Sequence, residues 1–343
     1  MKIDSKKSHF RALLSRHAAA LGYVFGVILP LILKTGRRPV IFDKFGGMGD
    51  IICTFPAALE LKKRHPHAEF IYNCQKDFAC LPKMGGVTNR ITTFRDVGLI
   101  GYWYRFLLAG FYNFASDDDK PESAPKDVYI KDFGRLFGIA LEDSHPRLQI
   151  DPALLSKVKD LLRGYDLPSG PLIILHPGPS WPVREWPLEN WKQLVAELRQ
   201  QGFNNIVRLG VGRYSIFGQV EVETIPGALS LVDQLSLEES IALISMAELF
   251  IGIDSGLLHI AGALRIPSVG LWGPTSPHLR FADTAGQTFV IGRVECQGCQ
   301  HRFPRLHWIT GCPYDIKCMK SIRVEEVLQA GLKRMESTAP TDA

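Results

Sequence analysis

The feature that most limits what this chain can fold into is the stretch Glu248 to Pro277, where two short, wholly apolar runs, Leu249 to Ile253 and Val269 to Trp272, flank a helix-length segment. A run without polar alternation needs cover on both faces, which is the situation of a central strand in a parallel sheet. Asp254-Ser255-Gly256 breaks the first run where a helix should begin, and Asp254 and Ser255 are good N-cap residues. Behind them Leu257, Leu258, Ile260, Ala261 and Leu264 predict a helix apolar on much of its surface, and Pro267 marks the start of the second run. The unit is therefore βαβ, with a ligand-sized loop at each strand's carboxyl end. Backbone N–H groups at such a helix start make a site for phosphate or another anion, and Gly256 lets a ligand approach closely. His259 lies one turn into the helix, on a side that can face the same loop. From this stretch alone, a packed core histidine and a plain helix cap account for His259 and Asp254 as well as a binding site does.

The remainder of the chain bounds the answer. Its 343 residues suit two domains, and 46% hydrophobic content is ample for two cores. A net charge of +5 is mild, and beyond the N-terminus the basic residues are scattered, so no nucleic-acid partner is implied while acidic small molecules stay open. The seven cysteines, an odd number without a cleavable signal, fit reduced thiols in a cytoplasmic setting.

Residues 1–38 stand apart. Lys2, Lys6, Lys7, Arg11 and Arg16 precede an uncharged run from His17 to Leu33, and Lys34, Arg37 and Arg38 follow it. The run contains Pro30 and is at the lower edge of what spans a bilayer. A span that left the domains in the cytoplasm would also place the heavier positive flank outside. The expectation is a monotopic or re-entrant basic anchor on the cytoplasmic leaflet, preferred to a core helix on the first domain or a true span.

Pro39 to Phe42 reads as a buried strand, and Asp43-Lys44-Phe45-Gly46-Gly47-Met48-Gly49-Asp50 as the glycine-rich loop after it. A helix to about His65 and a strand from Glu69 to Tyr72 complete a Rossmann-like half. A nicotinamide dehydrogenase is disfavoured: the glycines lack the spaced G-x-G-x-x-G pattern, and Asn73 and Gln75 stand where a ribose-binding carboxylate is wanted. Asp50 is either a helix cap or a carboxylate placed to take a proton from a hydroxyl. The aromatic segment from Thr93 onward reads as core helix plus exposed loop, ending in the polar run 116–120, and Tyr129 to Phe137 as a helix.

The second half opens on the apolar strand Leu172 to Leu175, followed by His176-Pro177-Gly178 and, further along, Arg184-Glu185-Trp186-Pro187. Helices are expected from Leu188 to Gln201 and from Leu237 to Met246, the second capped by Ser236 with Glu239 in capping-box spacing, and a strand from Ile206 to Leu209. Repeated strand-loop-helix steps make a second doubly wound sheet. Arg184 is either a guanidinium fork for phosphate or a solvated surface arginine.

Taken together, Gly49-Asp50 opening a helix, His176-Pro177-Gly178 with Trp186-Pro187 and Trp191, Asp254-Ser255-Gly256-x-x-His259, and Gly273-Pro274-Thr275-Ser276-Pro277 resemble the heptosyltransferases of glycosyltransferase family 9, which build the lipopolysaccharide inner core. The resemblance covers roughly residues 39 to 330. It implies an α/β chain of GT-B architecture: two Rossmann-like doubly wound domains facing a central cleft, with the N-terminal hydrophobic and basic anchor helix added. The expected divisions are 1–38 as the membrane-associating segment, 39–152 as the acceptor domain and 153–322 as the donor domain. A C-terminal helix at 323–335, able to return to the first domain, and a disordered tail at 336–343 follow.

By the same resemblance Asp50 is the general base, with Lys44, Gly46, Gly47 and Gly49 in the acceptor-side loop. His176, Arg184, Asp254, Ser255, Gly256, His259 and Thr275 hold an ADP-heptose or other nucleotide sugar, and no cofactor is required for catalysis. The implied reaction is inverting transfer of a heptose or related sugar to a lipid-linked glycan at the cytoplasmic face of the inner membrane. A nucleotide-sugar 2-epimerase on the same fold and a non-catalytic sugar-nucleotide-binding protein are the alternatives. Near the C-terminus Cys296, Cys299, Cys312 and Cys318 stand around His301 and His307. Reduced buried thiols or a structural zinc fit that set, although the spacing of the second pair is wider than in a usual zinc knuckle.

Overall fold

A computed structural model of the chain describes residues 2–114, 129–165, 167–214, 218–281, 286–301 and 311–337. The polar run 116–120, His307 and the tail from residue 338 lie outside them. The chain divides into two compact units, Met1–Ala115 with Phe133–Leu141, and Ser116–Asp132 with Glu142–Ala343.

The first unit begins with α1 (Lys2–Tyr23), a π-helical turn at Val24–Ile28 and α2 (Leu29–Thr35). Ala20, Val24, Ile28 and Leu31 recur at helical spacing, and this stripe packs into a core with Ile41, Ile71, Val97, Ile100 and Leu108. The N-terminal segment thus lends one stripe to the unit's core, as the core-helix alternative requires, while most of its apolar stretch stays outside that core. Four parallel strands follow: β1 (Pro39–Asp43), β2 (Glu69–Asn73), β3 (Ile91–Thr92) and β4 (Gly110–Asn113), in the order β3-β2-β1-β4.

The helix expected after the glycine loop is two, α3 (Met48–Cys53) and α4 (Phe55–Arg64). Pro56 has no N–H to give to the preceding turn. The break is tied off by Thr54, whose hydroxyl donates to Ile51 O at 2.7 Å and lies 2.6 Å from the Tyr72 hydroxyl. After α5 (Cys80–Met84), the aromatic segment also differs from expectation. It forms α6 (Val97–Trp103) and then β4, whose Phe111 and Tyr112 sit opposite Ile41 and Phe42 of β1. Four residues are too few to display a period, so pairing with β1 decides the conformation. The next helix, α7 (Tyr129–Leu136), matches its expectation closely.

The second unit carries α8 (Pro152–Leu162), β5 (Ile173–His176), α9 (Leu188–Gln200), β6 (Ile206–Arg208), and a short antiparallel pair, β7 (Arg213–Tyr214) and β8 (Gly218–Gln219). There follow β9 (Leu229–Ser230), α10 (Leu237–Ile244), β10 (Leu249–Ile253), α11 (Gly256–Ala263), β11 (Ser268–Trp272), α12 (Pro277–Arg280), β12 (Gln287–Ile291), α13 (Lys317–Lys320) and α14 (Val324–Glu336). The six-stranded sheet runs β12-β11-β10-β5-β6-β9 with every pair parallel. Every residue of β10 and β11 is buried, as their unalternating sequences require. The capping box on α10 is present: Glu239 Oε2 accepts from Ser236 N–H at 2.8 Å, and Ser236 Oγ from Glu239 N–H at 3.2 Å. Helix α14, expected to return to the first domain, packs Val324, Val327 and Leu328 into the second unit's own core with Leu249, Ile251 and Leu271. Strand order reverses between β5 and β10, and the carboxyl ends at such a switch point open a crevice for a ligand.

Candidate functional site

At that switch point His176 ends β5 and pairs with Gly252 of β10, two residues before Asp254. His176 is buried, and its Nδ1 lies 3.0 Å from Leu209 O. A carbonyl only accepts, so Nδ1 carries the proton. Burial, reinforced by the nearby Arg208 and only partly offset by the Leu209 bond, pushes the pKa down to about 4. The ring is neutral and its Nε2 is an acceptor, suited to a hydroxyl and not to a phosphate oxygen.

Asp254 follows β10 at 3% exposure, and two of the other expected residues, Arg184 and Thr275, meet around it. Arg184 Nε lies 3.3 Å from Asp254 Oδ2, Arg184 Nη1 donates to Asp254 O at 3.2 Å, and the buried Thr275 hydroxyl donates to Asp254 Oδ2. Burial raises the carboxyl pKa, but Arg184, then Arg280, the Thr275 bond and His259 outweigh it, and the net shift is downward. Asp254 is therefore a buried carboxylate that fixes a guanidinium and a hydroxyl in place. Two glutamines that the sequence reading missed complete the cluster. Gln300 Oε1 accepts from Arg184 Nη2 at 3.2 Å, and Gln297 Nε2 donates to Thr275 O at 3.2 Å. Gln297 lies between Cys296 and Cys299 and Gln300 directly after them, where the cysteines drew attention and a glutamine carries no distinctive spacing.

Ser255 is the N-cap residue of α11, with φ −158° and ψ 171°, yet its side chain makes no cap bond. Its Oγ is buried and has no hydrogen-bond partner among the described residues. A buried hydroxyl of this kind at a helix start, beside Gly256, is able to bond a ligand atom. His259, 8% exposed, stacks on Phe281 with ring centroids 4.7 Å apart and planes 16° from parallel. In the loop after β5, Gly178 has φ +111°, and a Cβ there would stand 3.1 Å from Glu185 Oε1, so the turn into the Arg184 segment takes glycine.

The glycine loop of the first unit brings Asp50 to the start of α3, where its Oδ2 accepts the Gly47 N–H at 2.9 Å. A Cβ on Gly46 would lie 2.9 Å from that oxygen, so this loop closes over the carboxylate only with glycine there. Gly49 lies within the first turn of α3. Lys44 is buried, with Nζ donating to Phe114 O at 3.0 Å and standing 5.2 Å from the Phe133 ring centroid. Asp43 is held by Asn73 Nδ2 at 2.8 Å, and its pKa is raised by burial against the opposing Asn73 bond and Lys44 charge. Asn73 thus supports β1 through its Nδ2.

Cys296, Cys299, Cys312 and Cys318 carry thiols and form no disulfide among the described residues. Burial, and then the proximity of Cys296 and Cys299, pushes the Cys318 thiol up to about 12. A zinc ligand has to be a thiolate. Among the described residues no group of three or more His, Cys, Asp or Glu side chains could hold a metal ion.

Two parallel doubly wound units, the second with a polar cluster at its switch point, define a protein of the GT-B type. Residues 100–308 match the sequence profile of glycosyltransferase family 9 (heptosyltransferase), and the chain belongs to that family. It is 27% identical over 135 residues to the lipopolysaccharide heptosyltransferase 1 of Pseudomonas aeruginosa, covering 38% of this chain and 37% of that one. It resembles in fold the glycosyl transferase family 9 protein of Veillonella parvula, with a TM-score of 0.65 at 14% identity over 88% of this chain and 98% of the other. The iron-containing heptosyltransferase TibC of enterotoxigenic E. coli, solved in complex with ADP-D-beta-D-heptose, also has a TM-score of 0.65, at 20% identity over 88% and 77% of the two chains. The matches to the first curated relatives span under half of those relatives' length.

Proposed function

We propose that this chain is an inverting glycosyltransferase that moves a heptose or related sugar from an ADP-sugar to a lipopolysaccharide core or other surface glycan. The observation that carries the reading is the Arg184–Asp254–Thr275 cluster beside the unpartnered Ser255 hydroxyl at the start of α11. As the anomeric C–O bond breaks, negative charge gathers on the departing diphosphate. A guanidinium and a helix N-terminus stabilise that charge without a metal. Asp254 holds Arg184 at its post; the neutral His176 addresses a hydroxyl group, and His259 contacts the donor from one turn into α11. Asp50, in the unit assigned to the acceptor, takes the proton of the attacking hydroxyl. That oxygen bonds to the anomeric carbon from the face opposite the leaving ADP, which inverts the centre in one displacement.

No cofactor is assigned to the transfer, and the four cysteines are assigned as reduced structural thiols; one equivalent of zinc in the purified protein would overturn the second assignment. The enzyme is placed at the cytoplasmic face of the inner membrane. This is supported by the helix Ala12–Thr35, apolar and long enough by composition to enter a bilayer, and by the lipopolysaccharide named for the P. aeruginosa relative. The test is thermal shift with a panel of nucleotide sugars. A ligand at a hundred times its Kd stabilises by about 2.7 kcal/mol, so an ADP-sugar should raise the melting temperature clearly. Silence with every ADP-sugar and a response to a UDP- or GDP-sugar would refute the donor assignment. A non-catalytic binder is recognised by Asp50→Ala and His259→Ala leaving its function intact.

A further inference from the structure

The first unit exposes apolar side chains that its core does not use. Leu14 and Leu21 of α1 and Phe25 of the π-helical turn that continues it are 55%, 42% and 65% exposed and stand at i, i+7 and i+11, one line beside the buried stripe. His17 lies between the first two, three residues after Leu14 and four before Leu21, and its ring centroid is 6.1 Å from that of Trp103 on α6. Trp103, 56% exposed, contacts Tyr102, 76% exposed, edge to face at 5.0 Å. Two segments far apart in sequence are thereby joined into one apolar and aromatic surface. The salt bridge from Arg16 Nε to Asp96 Oδ1, 2.6 Å, also links them.

The charge around this surface has one sign. Residues 12–38 and 91–113 contain the basic side chains Arg16, Lys34, Arg37, Arg38, Arg95 and Arg105, and their single acid, Asp96, is already paired with Arg16. All six basic residues are exposed. Tryptophan and tyrosine favour the depth of lipid headgroups, an apolar helix face seats itself at the acyl boundary, and Lys and Arg are attracted to an anionic leaflet. We propose that the Leu14–Leu21–Phe25 line and the Tyr102–Trp103 pair form one membrane-docking surface that seats in an anionic lipid headgroup layer, with α6 as much a part of it as the N-terminal helix. The proposal rests on the membrane placement above and extends it to α6. The surface holds the first unit in a fixed attitude to the bilayer, since two elements contact it instead of one.

The test uses the full chain and sedimentation with vesicles of 3:1 phosphatidylethanolamine and phosphatidylglycerol, with pure phosphatidylcholine as the uncharged control. Wild type binds the anionic vesicles, and binding falls with added salt. The doubly substituted Tyr102→Glu/Trp103→Glu protein, whose changes fall on exposed positions, loses about tenfold or more in vesicle affinity. Its melting temperature and its response to nucleotide sugar stay those of the wild type. Leu14→Glu/Phe25→Glu produces a comparable loss. If only the Leu14 and Phe25 pair matters, the anchor reading survives and the shared surface is overturned. If wild type ignores anionic vesicles, both are overturned. If the α6 pair instead dissociates a dimer with no change in vesicle binding, a second copy covers the surface and the proposal fails.

Discussion

The Arg184–Asp254 pair allows the most searching test of the site. The two side chains are 14% and 5% exposed and approach at 3.3 Å, which at an effective dielectric near 20 is about 5 kcal/mol of Coulomb energy. Part of that is offset by taking both charges out of water, so the double-mutant cycle should return a coupling of about 3 kcal/mol. Asp254→Asn keeps an acceptor for Thr275 but strands a buried guanidinium, and Arg184→Met strands a buried carboxylate. Each single change should cost about 3 to 5 kcal/mol. At about 2 to 4 °C per kcal/mol, each should lower the melting temperature by roughly 6 to 20 °C. The double mutant should be more stable than the sum of the singles predicts. The assay is urea unfolding at pH 7 by circular dichroism, with a thermal scan of the same four proteins. The pair also has a pH signature. Asp254 has a folded pKa below its unfolded value, so its contribution is present above the unfolded carboxylate range and is lost as pH falls through the folded pKa. Asp254→Asn should therefore flatten the acid limb of the stability curve. A coupling below about 0.5 kcal/mol would refute the reasoning, because exposed pairs give that much.

The other expectations are briefer. His176, with a folded pKa lowered to about 4, is neutral in the fold, so its contribution is complete above its ordinary unfolded value and lost as pH falls toward 4; His176→Gln should remove about 2 to 3 kcal/mol of that pH dependence in urea titrations. Glu239, held down to about 2 by its bond to Lys157 and then by Ser236, contributes above its unfolded pKa and loses that contribution as pH falls toward 2; Glu239→Gln should cost about 1 kcal/mol at pH 7, seen as a lower urea midpoint. Asp50→Asn should reduce transfer by about 10²- to 10⁴-fold while leaving the thermal response to donor unchanged. Gly46→Ala, whose Cβ would crowd Asp50 Oδ2, should lower transfer by at least about tenfold with a melting temperature close to wild type, read by the same pair of assays.

The sequence determined the parallel core of this protein. Runs without alternation, such as Leu249 to Ile253, could only be strands covered on both faces, and β10 is that strand to the residue. Residues bound to a local signal were equally legible: Ser236 and Glu239 form their capping box because both partners lie within one turn. So was the loop after β10, since Asp254, Ser255 and Gly256 must follow whatever strand precedes them. Tertiary structure decided what locality cannot carry. The four residues of β4 became a strand through pairing with β1, and Thr54 and Pro56 divided one expected helix into two. Gln297 and Gln300 joined the site because chain from beyond β12 passes Thr275 and Arg184, and no period or spacing announces such a contact. The four cysteines had spacing that invited a metal, whereas the burial that raises the Cys318 thiol pKa is a tertiary property that spacing does not display. The same division holds for Asp254: its place after β10 was fixed by the chain itself, whereas its role as the carboxylate that anchors Arg184 exists only because the β5 and β10 loops meet.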